Sequence, residues 1–439
     1  MIKEIRTLSR PLTAQLEITN GCNHNCVHCY LLSSDNDKRP NHSFSDETVM
    51  ASAEKLVEAG IFSVVITGGE PLLNKNLLFK VISLFTNNSI HVSLNTNLTL
   101  LDDEIAYFIK EKGVNILTSC PSGYIEKYNK ITNTNNYQKF EQNLKKISDL
   151  GISFTVNMVV TKDNIDDVIE TATTLKKIGC KSFAATPMSF NMDYPLPNLS
   201  LSLEEVQQTV SDLLYIEKQL GMRIDIVESL PKCCLPKNVL EGDYHFLKRS
   251  CQAGRTSISV SPNGDIRPCS HNSNSYGNII TSNIVEIYKK MLVWRTGDYI
   301  PKECNECVWI SYCNGGCRTN AFAVHGSWNA RDIWMTAPIR GTKPFWKTDD
   351  FHIQNIRFRI NSNYRTRKEN DDSYLVYNLT NNTFFLVNKY LLDFINNLCS
   401  NFKELSFEDL ANYYDAKDNE NFVYIIKILY IKGILLRIE

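Results

Sequence analysis

The sequence predicts a parallel α/β fold, and three observations carry that prediction. Short segments rich in branched and aromatic residues alternate with segments of helical period over residues 12–190. Glycines stand just past four of the helical segments, at Gly60, Gly113, Gly151 and Gly179, where a C-terminal cap needs them. The two segments richest in ligand-type residues follow directly on the first and second strand candidates.

The first expected strand is Ala14–Thr19, followed by a helix over Asp46–Ala59. Strand two is Ser63–Thr67, then a helix over Leu77–Phe85 and strand three over His91–Asn95. The helix Asp103–Lys112 leads to strand four, Asn115–Ser119. The helix Tyr137–Leu150 precedes strand five, Ser153–Val160, and the helix Ile165–Ile178 precedes strand six, Ser182–Thr186. Strands alternating with helices imply βαβ units, either closed as a barrel or wound as an open sheet. In a barrel the chemistry gathers at the C-terminal ends of the strands.

Beyond residue 190 the pattern changes. Residues 191–245 are irregular, with Pro195, Pro197, Pro231 and Pro236 around one helix pattern, Ser202–Leu220. Residues 250–335 hold a second group of cysteines, and residues 336–350, with Pro338, Gly341 and Pro344, read as a linker. Residues 351–439 show short strands, Ile356–Ile360, Tyr374–Asn378 and Phe384–Val387, before three helix patterns.

Composition narrows the function classes. The 439 residues correspond to about three domains. With 43% apolar and 22% charged residues the chain can build a core, which excludes a wholly disordered protein. Lys plus Arg is 47 against 48 Asp plus Glu, so bulk charge attracts neither nucleic acid nor an anionic membrane. The start, MIKEIRTLSRPL, has no signal-peptide core, and no run of apolar residues is long enough to span a bilayer. These features predict a soluble cytoplasmic protein with no nucleic-acid or membrane partner. The 14 cysteines then read as metal ligands before disulfides, because the cytosol is reducing.

Cys22, Cys26 and Cys29 have Cys-x3-Cys-x2-Cys spacing on one loop. Three thiolates on so short a loop can ligate three irons of a 4Fe–4S cube, leaving the fourth iron open as a Lewis acid. The alternative occupant is zinc, with His24 or His28 as fourth ligand. After strand two comes Thr67-Gly68-Gly69-Glu70-Pro71, whose paired glycines allow close backbone approach and whose carboxylate can accept from an ammonium.

On these residues the chain resembles the radical S-adenosylmethionine (SAM) superfamily over residues 12 to about 225. The resemblance implies a partial (β/α)6 TIM-like barrel holding a 4Fe–4S cluster and SAM. It implies that Gly68, Gly69, Glu70 and Pro71 bind the SAM amino group, that His28 lies beside adenine, and that Asn95 and Asn97 make polar contacts to SAM. Turn formation is the competing role for both asparagines. The implied chemistry is reductive cleavage of SAM to a 5′-deoxyadenosyl radical that abstracts a substrate hydrogen, with electrons from a reductant such as flavodoxin or ferredoxin. Cys120 stands where relatives often carry Asp and receives no role.

The second group runs Cys251, Gly264-x4-Cys269, then Cys304-x2-Cys307-x5-Cys313-x3-Cys317. It resembles the SPASM extension, which carries auxiliary iron–sulfur clusters; a zinc ribbon is the alternative. The resemblance implies one or two auxiliary clusters, with Cys251, Cys269 and Cys317 on one and Cys304, Cys307 and Cys313 on the other. The family's final cysteine is replaced here by Met335, in Asp332-Ile333-Trp334-Met335. Water, Met335, a substrate thiolate, Cys233 or Cys234 are the candidates for a completing ligand.

Three strands and three helices in residues 351–439 resemble a RiPP recognition element, a winged-helix peptide-binding module like the pyrroloquinoline quinone chaperone. The alternatives are a plain packing domain and a DNA-binding winged helix, the latter disfavoured since residues 336–439 carry 14 basic and 13 acidic residues. The expected domains are thus the barrel (1–235), the SPASM domain (236–340) and a small winged-helix α+β domain (351–439).

Together these resemblances imply a radical SAM maturase of a ribosomally made precursor peptide with a leader sequence. It would form a thioether or carbon–carbon cross-link, or epimerise a residue. The alternatives are a formylglycine-forming sulfatase maturase, a small-molecule radical SAM dehydrogenase, or an iron–sulfur DNA-binding regulator. Epimerisation needs a thiol hydrogen donor, for which Cys120, Cys180, Cys233, Cys234 and Cys399 are spare.

Overall fold

The computed structural model describes residues 8–31, 44–341, 356–369, 372–380, 383–416 and 419–438. The first seven residues, most of the expected linker 336–350, and Asn381-Asn382 of the expected hairpin turn lie outside the described residues. The chain divides into two compact units, residues 1–344 and 345–439.

In the first unit, strands β1 (Thr13–Glu17), β2 (Ser63–Thr67), β3 (His91–Thr96), β4 (Asn115–Ser119), β5 (Phe154–Val160) and β6 (Ser182–Pro187) lie side by side in chain order, all parallel. A short β7 (Arg223–Asp225) adds beyond β6, again parallel. Helices α1 (Asp46–Glu58), α2 (Lys75–Asn87), α3 (Asp103–Lys112), α4 (Ile125–Thr132), α5 (Tyr137–Asp149), α6 (Val168–Lys177) and α7 (Leu203–Tyr215) make the crossovers. These strands and their crossover helices form the parallel α/β core that the sequence predicts. Leu16, Ile66, Leu94 and Val156 are wholly buried because a parallel sheet covered by helices has no wet face.

Local chemistry sets the element ends. Ser45 and Asp102 accept from the backbone N–H groups of Thr48 and Ile105, capping α1 and α3. Ser202 and Glu205 form a reciprocal capping box on α7. Gly113 closes α3 with φ of 65°, the left-handed conformation that glycine adopts at no steric cost.

Three details differ from the sequence expectation. Residues Ile165–Asp167 make a 3₁₀ turn and the α-helix begins only at Val168. The segment Ser202–Leu220 is an α-helix to Tyr215 followed by one π-turn, Ile216–Leu220, closed by Gly221. Helix α4 was not expected; it is eight residues long and no side chain caps its N-terminus, so it carries little local signal.

The sheet does not stop at β1. Strand β8 (Ser257–Val260) pairs parallel to β1, and β9 (Asp265–Arg267) and β10 (Gly277–Asn278) continue antiparallel, giving the order β10-β9-β8-β1-β2-β3-β4-β5-β6-β7. A buried ion pair, Arg267 Nη2 to Glu17 at 2.6 Å, joins β9 to β1. Strands β8, β9 and β10, from the segment beyond residue 236, thus extend the sheet of the first unit.

Among the described residues the second unit shows six strands rather than the three expected. Strands β11 (Arg357–Ile360), β15 (Glu404–Ser406) and β16 (Leu435–Ile438) form one antiparallel sheet, and β12 (Tyr364–Lys368), β13 (Tyr374–Asn378) and β14 (Thr383–Val387) another. The expected strands β11, β13 and β14 are present. The missed β12, β15 and β16 are short and charged, so their alternation is hidden in the sequence. Helices Lys389–Asn401, Phe407–Tyr413 and Glu420–Ile431 share one core with both sheets around Phe358, Val376, Ile395, Leu410 and Ile426. Ser406 and Asp409 form a reciprocal capping box on the second of these helices. The two sheets are tied at a buried amide pair: Asn378 and Asn361 both donate to the carbonyl of Gly433, at 3.0 and 2.9 Å.

Candidate active site and auxiliary thiol sites

A cavity opens at the C-terminal ends of the parallel strands. Its wall takes Gln15 from β1, Thr67 from β2, Asn95 from β3, Ser119 from β4, Asn157 from β5 and Thr186 from β6. Cys22, Cys26 and Cys29 line its mouth with His24, His28 and Tyr30. Ser270 and His271, from the loop after β9, and Glu228, after β7, complete it. Among the described residues no Lys or Arg lines this cavity. A wall of amides and hydroxyls with the carboxylate Glu228 and no cationic side chain suits a ligand that brings its own positive charge.

The cysteine loop is held by its backbone. Asn25 and Val27 donate their N–H groups to the carbonyls of Thr132 and Ile131 at the end of α4, both at 3.0 Å. Asn97, just past β3, donates to Asn23 Oδ1 at 2.8 Å and to Cys22 Sγ at 3.8 Å. Thr99 donates to Asn97 Oδ1 at 2.7 Å and accepts from Asn23 Nδ2 at 2.9 Å, closing the network. Asn97 thus orients the first cysteine as well as facing the cavity.

The paired glycines serve a contact inside the protein. Gly69 and Glu70 donate to the carbonyls of Thr19 and Gly21, each at 2.8 Å. A Cβ on Gly69 would sit 1.9 Å from the Gly21 oxygen, and one on Gly68 would sit 2.2 Å from the Thr19 oxygen. Only glycine lets this loop lie against the segment that opens the cysteine loop.

Glu70 is buried and, with Pro71, is not among the cavity's lining residues. Its Oε1 accepts from Thr96 Oγ1 at 2.7 Å and Leu72 N at 3.0 Å, and its Oε2 from Asn97 N at 2.7 Å. Glu70 therefore ties the GGEP loop to the end of β3. Burial pushes its carboxyl up to about 7, against the opposing pull of those donors. Of the sequence-selected residues, His28, Gly68, Gly69, Asn95 and Asn97 face the cavity.

Sequence reasoning missed His271, Ser270 and Glu228. They come from irregular segments, Glu228 just after β7 and Ser270 and His271 just after β9. Burial holds the His271 imidazole below its ordinary value, so it is neutral near pH 7. Its ring lies 4.9 Å from that of Tyr30.

The second cysteine group folds into two thiol sets. Cys251, Cys269 and Cys317 are mutual neighbours. Burial first, and then the adjacent Cys251, push the Cys269 thiol up to about 12 and Cys317 well above its ordinary value. Asp332 accepts from Cys317 N at 2.7 Å and from Trp334 N at 3.0 Å. Cys304, Cys307 and Cys313 line a different cavity, whose wall also includes Cys233 and Met335. Burial, with Cys313 and Cys307 beside it, pushes Cys304 up to about 12.

Among the described residues no group of three His, Cys, Asp or Glu side chains converges as for a single metal ion. A cube attaches each thiolate to a different iron. Three thiols spread around one cavity fit that donor pattern: Cys22, Cys26 and Cys29 line one and Cys304, Cys307 and Cys313 another, while Cys251, Cys269 and Cys317 lie near one another.

Comparison with known proteins places these features. The radical SAM superfamily model matches residues 16–175, and the SPASM iron–sulfur cluster-binding model matches residues 251–308. The chain carries a radical SAM domain followed by a SPASM domain. Both are iron–sulfur-binding domains.

Among relatives, the AdoMet-dependent heme synthase of Oleidesulfovibrio alaskensis is 24% identical over 73% of this chain and 86% of its own length. The subtilosin biosynthesis protein AlbA of Bacillus subtilis is 26% identical, covering 70% of this chain and 67% of its own. The crystal structure of Streptococcus suis SuiB superposes with a TM-score of 0.61 at 17% identity, covering 76% of this chain and 79% of SuiB. SuiB has also been solved with S-adenosylmethionine and with its precursor peptide SuiA. In this protein, no helix among the described residues is long and apolar enough to cross a membrane.

Proposed function

We propose that this protein is a peptide maturase that cross-links a ribosomally made precursor. Cys22, Cys26 and Cys29 would hold the 4Fe–4S cluster. Gly68, Gly69, His28, Asn95 and Asn97 would frame SAM in the cavity, with Glu70 and Pro71 fixing the loop from behind. When bound and reduced, by flavodoxin or ferredoxin, the cluster with SAM supplies a 5′-deoxyadenosyl radical able to abstract a hydrogen atom. The chain's own residues orient the reactants and exclude water. Gln15, Ser119 and Asn157 offer amides and a hydroxyl to a substrate backbone, with Glu228 and His271 on the same cavity wall.

The observation that carries the cross-linking choice is the position of the spare thiols. Cys120 is buried, donates to the Ser122 carbonyl and is not on the cavity wall. Cys180, Cys233 and Cys234 are not on it either. Epimerisation would need a thiol hydrogen donor there. The peptide substrate is supported by AlbA, which serves the biosynthesis of a bacteriocin, and by the SuiB complex with SuiA.

The second unit would bind the leader. Strands β12 and β14 are the edges of one sheet, and β15 and β16 of the other. An extended leader can add to such an edge through backbone hydrogen bonds, with side-chain pockets giving specificity. A tethered core peptide is then held at high effective concentration.

Deleting residues 351–439 should abolish leader binding and peptide modification and leave SAM cleavage largely intact. A truncated chain that folds and still modifies its peptide at the full rate refutes the leader-binding role. The heme synthase relatives favour a second reading, a small-molecule substrate. On that reading the truncation leaves turnover unchanged, and a precursor peptide encoded beside this gene is not modified on anaerobic coexpression.

A further inference from the structure

We propose that Cys233 is the fourth protein thiolate of the auxiliary site built by Cys304, Cys307 and Cys313. The proposal rests on the iron–sulfur reading of that site and adds the ligand that its sequence pattern lacks. Cys233 shares the cavity wall with those three cysteines and with Met335.

Met335 occupies the place where the motif would put the last thiolate. Its Sδ lies 4.0 Å from Cys304 Sγ, so the backbone brings the position to the site and the side chain withholds the charge. A thioether is a weak, neutral acceptor, whereas an iron–sulfur cube is held by thiolates. Within the same cavity Cys233 is the remaining thiol.

The turn that carries Cys233 is fixed on three sides. Lys232 N–H donates to Cys313 Sγ at 3.4 Å. The Lys232 side chain runs inward, and its Nζ donates to the carbonyls of Phe246 and Arg249 at 2.8 and 2.9 Å. Thr336 Oγ1, one residue past Met335, donates to the Cys233 carbonyl at 2.6 Å. Two anchors therefore join the Cys233 turn directly to the auxiliary site, one on its third cysteine and one beside Met335.

The neighbouring Cys234 cannot substitute. Lys232–Cys234 is a 3₁₀ turn, in which successive side chains point about 120° apart. Cys234 is fully buried and not on this cavity's wall; its carbonyl accepts from Gln207 Nε2 at 2.8 Å. Ligation by Cys233 needs no redox partner: the thiol gives its proton to water and the thiolate sulfur donates an electron pair to the remaining iron.

The test uses the full chain carrying Cys22, Cys26 and Cys29→Ala, so that only auxiliary iron is counted after anaerobic reconstitution. Adding Cys233→Ala or Cys233→Ser should remove up to one cube, about four irons per chain, or leave a three-iron form visible by electron paramagnetic resonance. Cys234→Ala should keep the full iron content. Adding Met335→Cys to Cys233→Ala should restore iron and spectrum, because position 335 already touches Cys304. Alkylation of the unaltered chain needs no variant to fold. With iron bound, Cys233 should be protected to the same extent as Cys304, and chelation should expose both.

Full iron and an unchanged spectrum in Cys233→Ala, with loss in Cys304→Ala, would overturn the assignment while leaving the auxiliary cluster in place. Full iron in Cys304→Ala and Cys307→Ala as well would overturn both it and the cluster reading beneath it.

Discussion

The cysteine loop at residues 22–29 and the thiol set around Cys304 each offer three cysteines within a short span, yet the fold treats them differently. The first set is half-exposed on the wall of the barrel-mouth cavity, with amides and hydroxyls facing it. Cys304 and Cys313 of the second set are buried, in a cavity that also holds a cysteine from a distant turn. On our reading the first arrangement leaves an iron for an exchangeable ligand, and the second closes its iron with protein sulfur. Two short three-cysteine segments thus permit opposite chemistry, because the surroundings supply or withhold the last ligand.

Removing one side of the comparison should give the largest effect. The triple Cys22, Cys26, Cys29→Ala variant should make no 5′-deoxyadenosine under dithionite and lose about four irons per chain. It should retain between four and eight irons at the auxiliary sites, and zinc in their place would break the comparison.

Gly69→Ala comes next. Its Cβ would meet the Gly21 carbonyl oxygen at 1.9 Å, so backbone must move on both sides. We expect a loss of about 2–4 kcal/mol, read by denaturant unfolding. Gly113→Ala, with open space around its Cβ, should cost about 1 kcal/mol from its left-handed φ alone.

Glu70 sharpens the comparison through pH. Its carboxyl is raised from 4.5 to about 7 by burial, so the folded chain binds more protons than the unfolded chain between those values. Stability should therefore fall as pH rises through that window, with the full cost, on the order of 1–3 kcal/mol, present above pH 7. Glu70→Gln loses one acceptor but removes this slope. Equal slopes in the two proteins would show that Glu70 is not the titrating group.

The smallest effect is expected from Asn97→Ala, which cuts the bonds to Asn23 and Cys22. It should cost about 1 kcal/mol and couple to Thr99→Val in a double-mutant cycle, since both belong to one network.

Much of the fold was legible because its signals are local. The expected strands Ser63–Thr67 and Asn115–Ser119 and the helix Asp103–Lys112 match the observed elements residue for residue. Periodicity and terminal glycines are properties of a few adjacent residues. Helix α4 and strands β8, β12 and β15 were missed, since each is short; β8 and β15 also form against partners distant in sequence, β1 and β11.

The sequence by itself determined the cysteine spacing, the GGEP segment and the alternation that makes a parallel sheet, because each is encoded in a handful of neighbours. Only the tertiary structure decided what those residues face. It put Gly68 and Gly69 against the Thr19–Gly21 backbone, sank Glu70 behind the cavity, and brought His271 and Glu228 to the mouth from irregular segments. It also set Cys233 beside Cys304 and turned Cys234 away, a choice between adjacent identical residues. Composition cannot make that choice; it is made by the turn of the backbone and the bonds that anchor it.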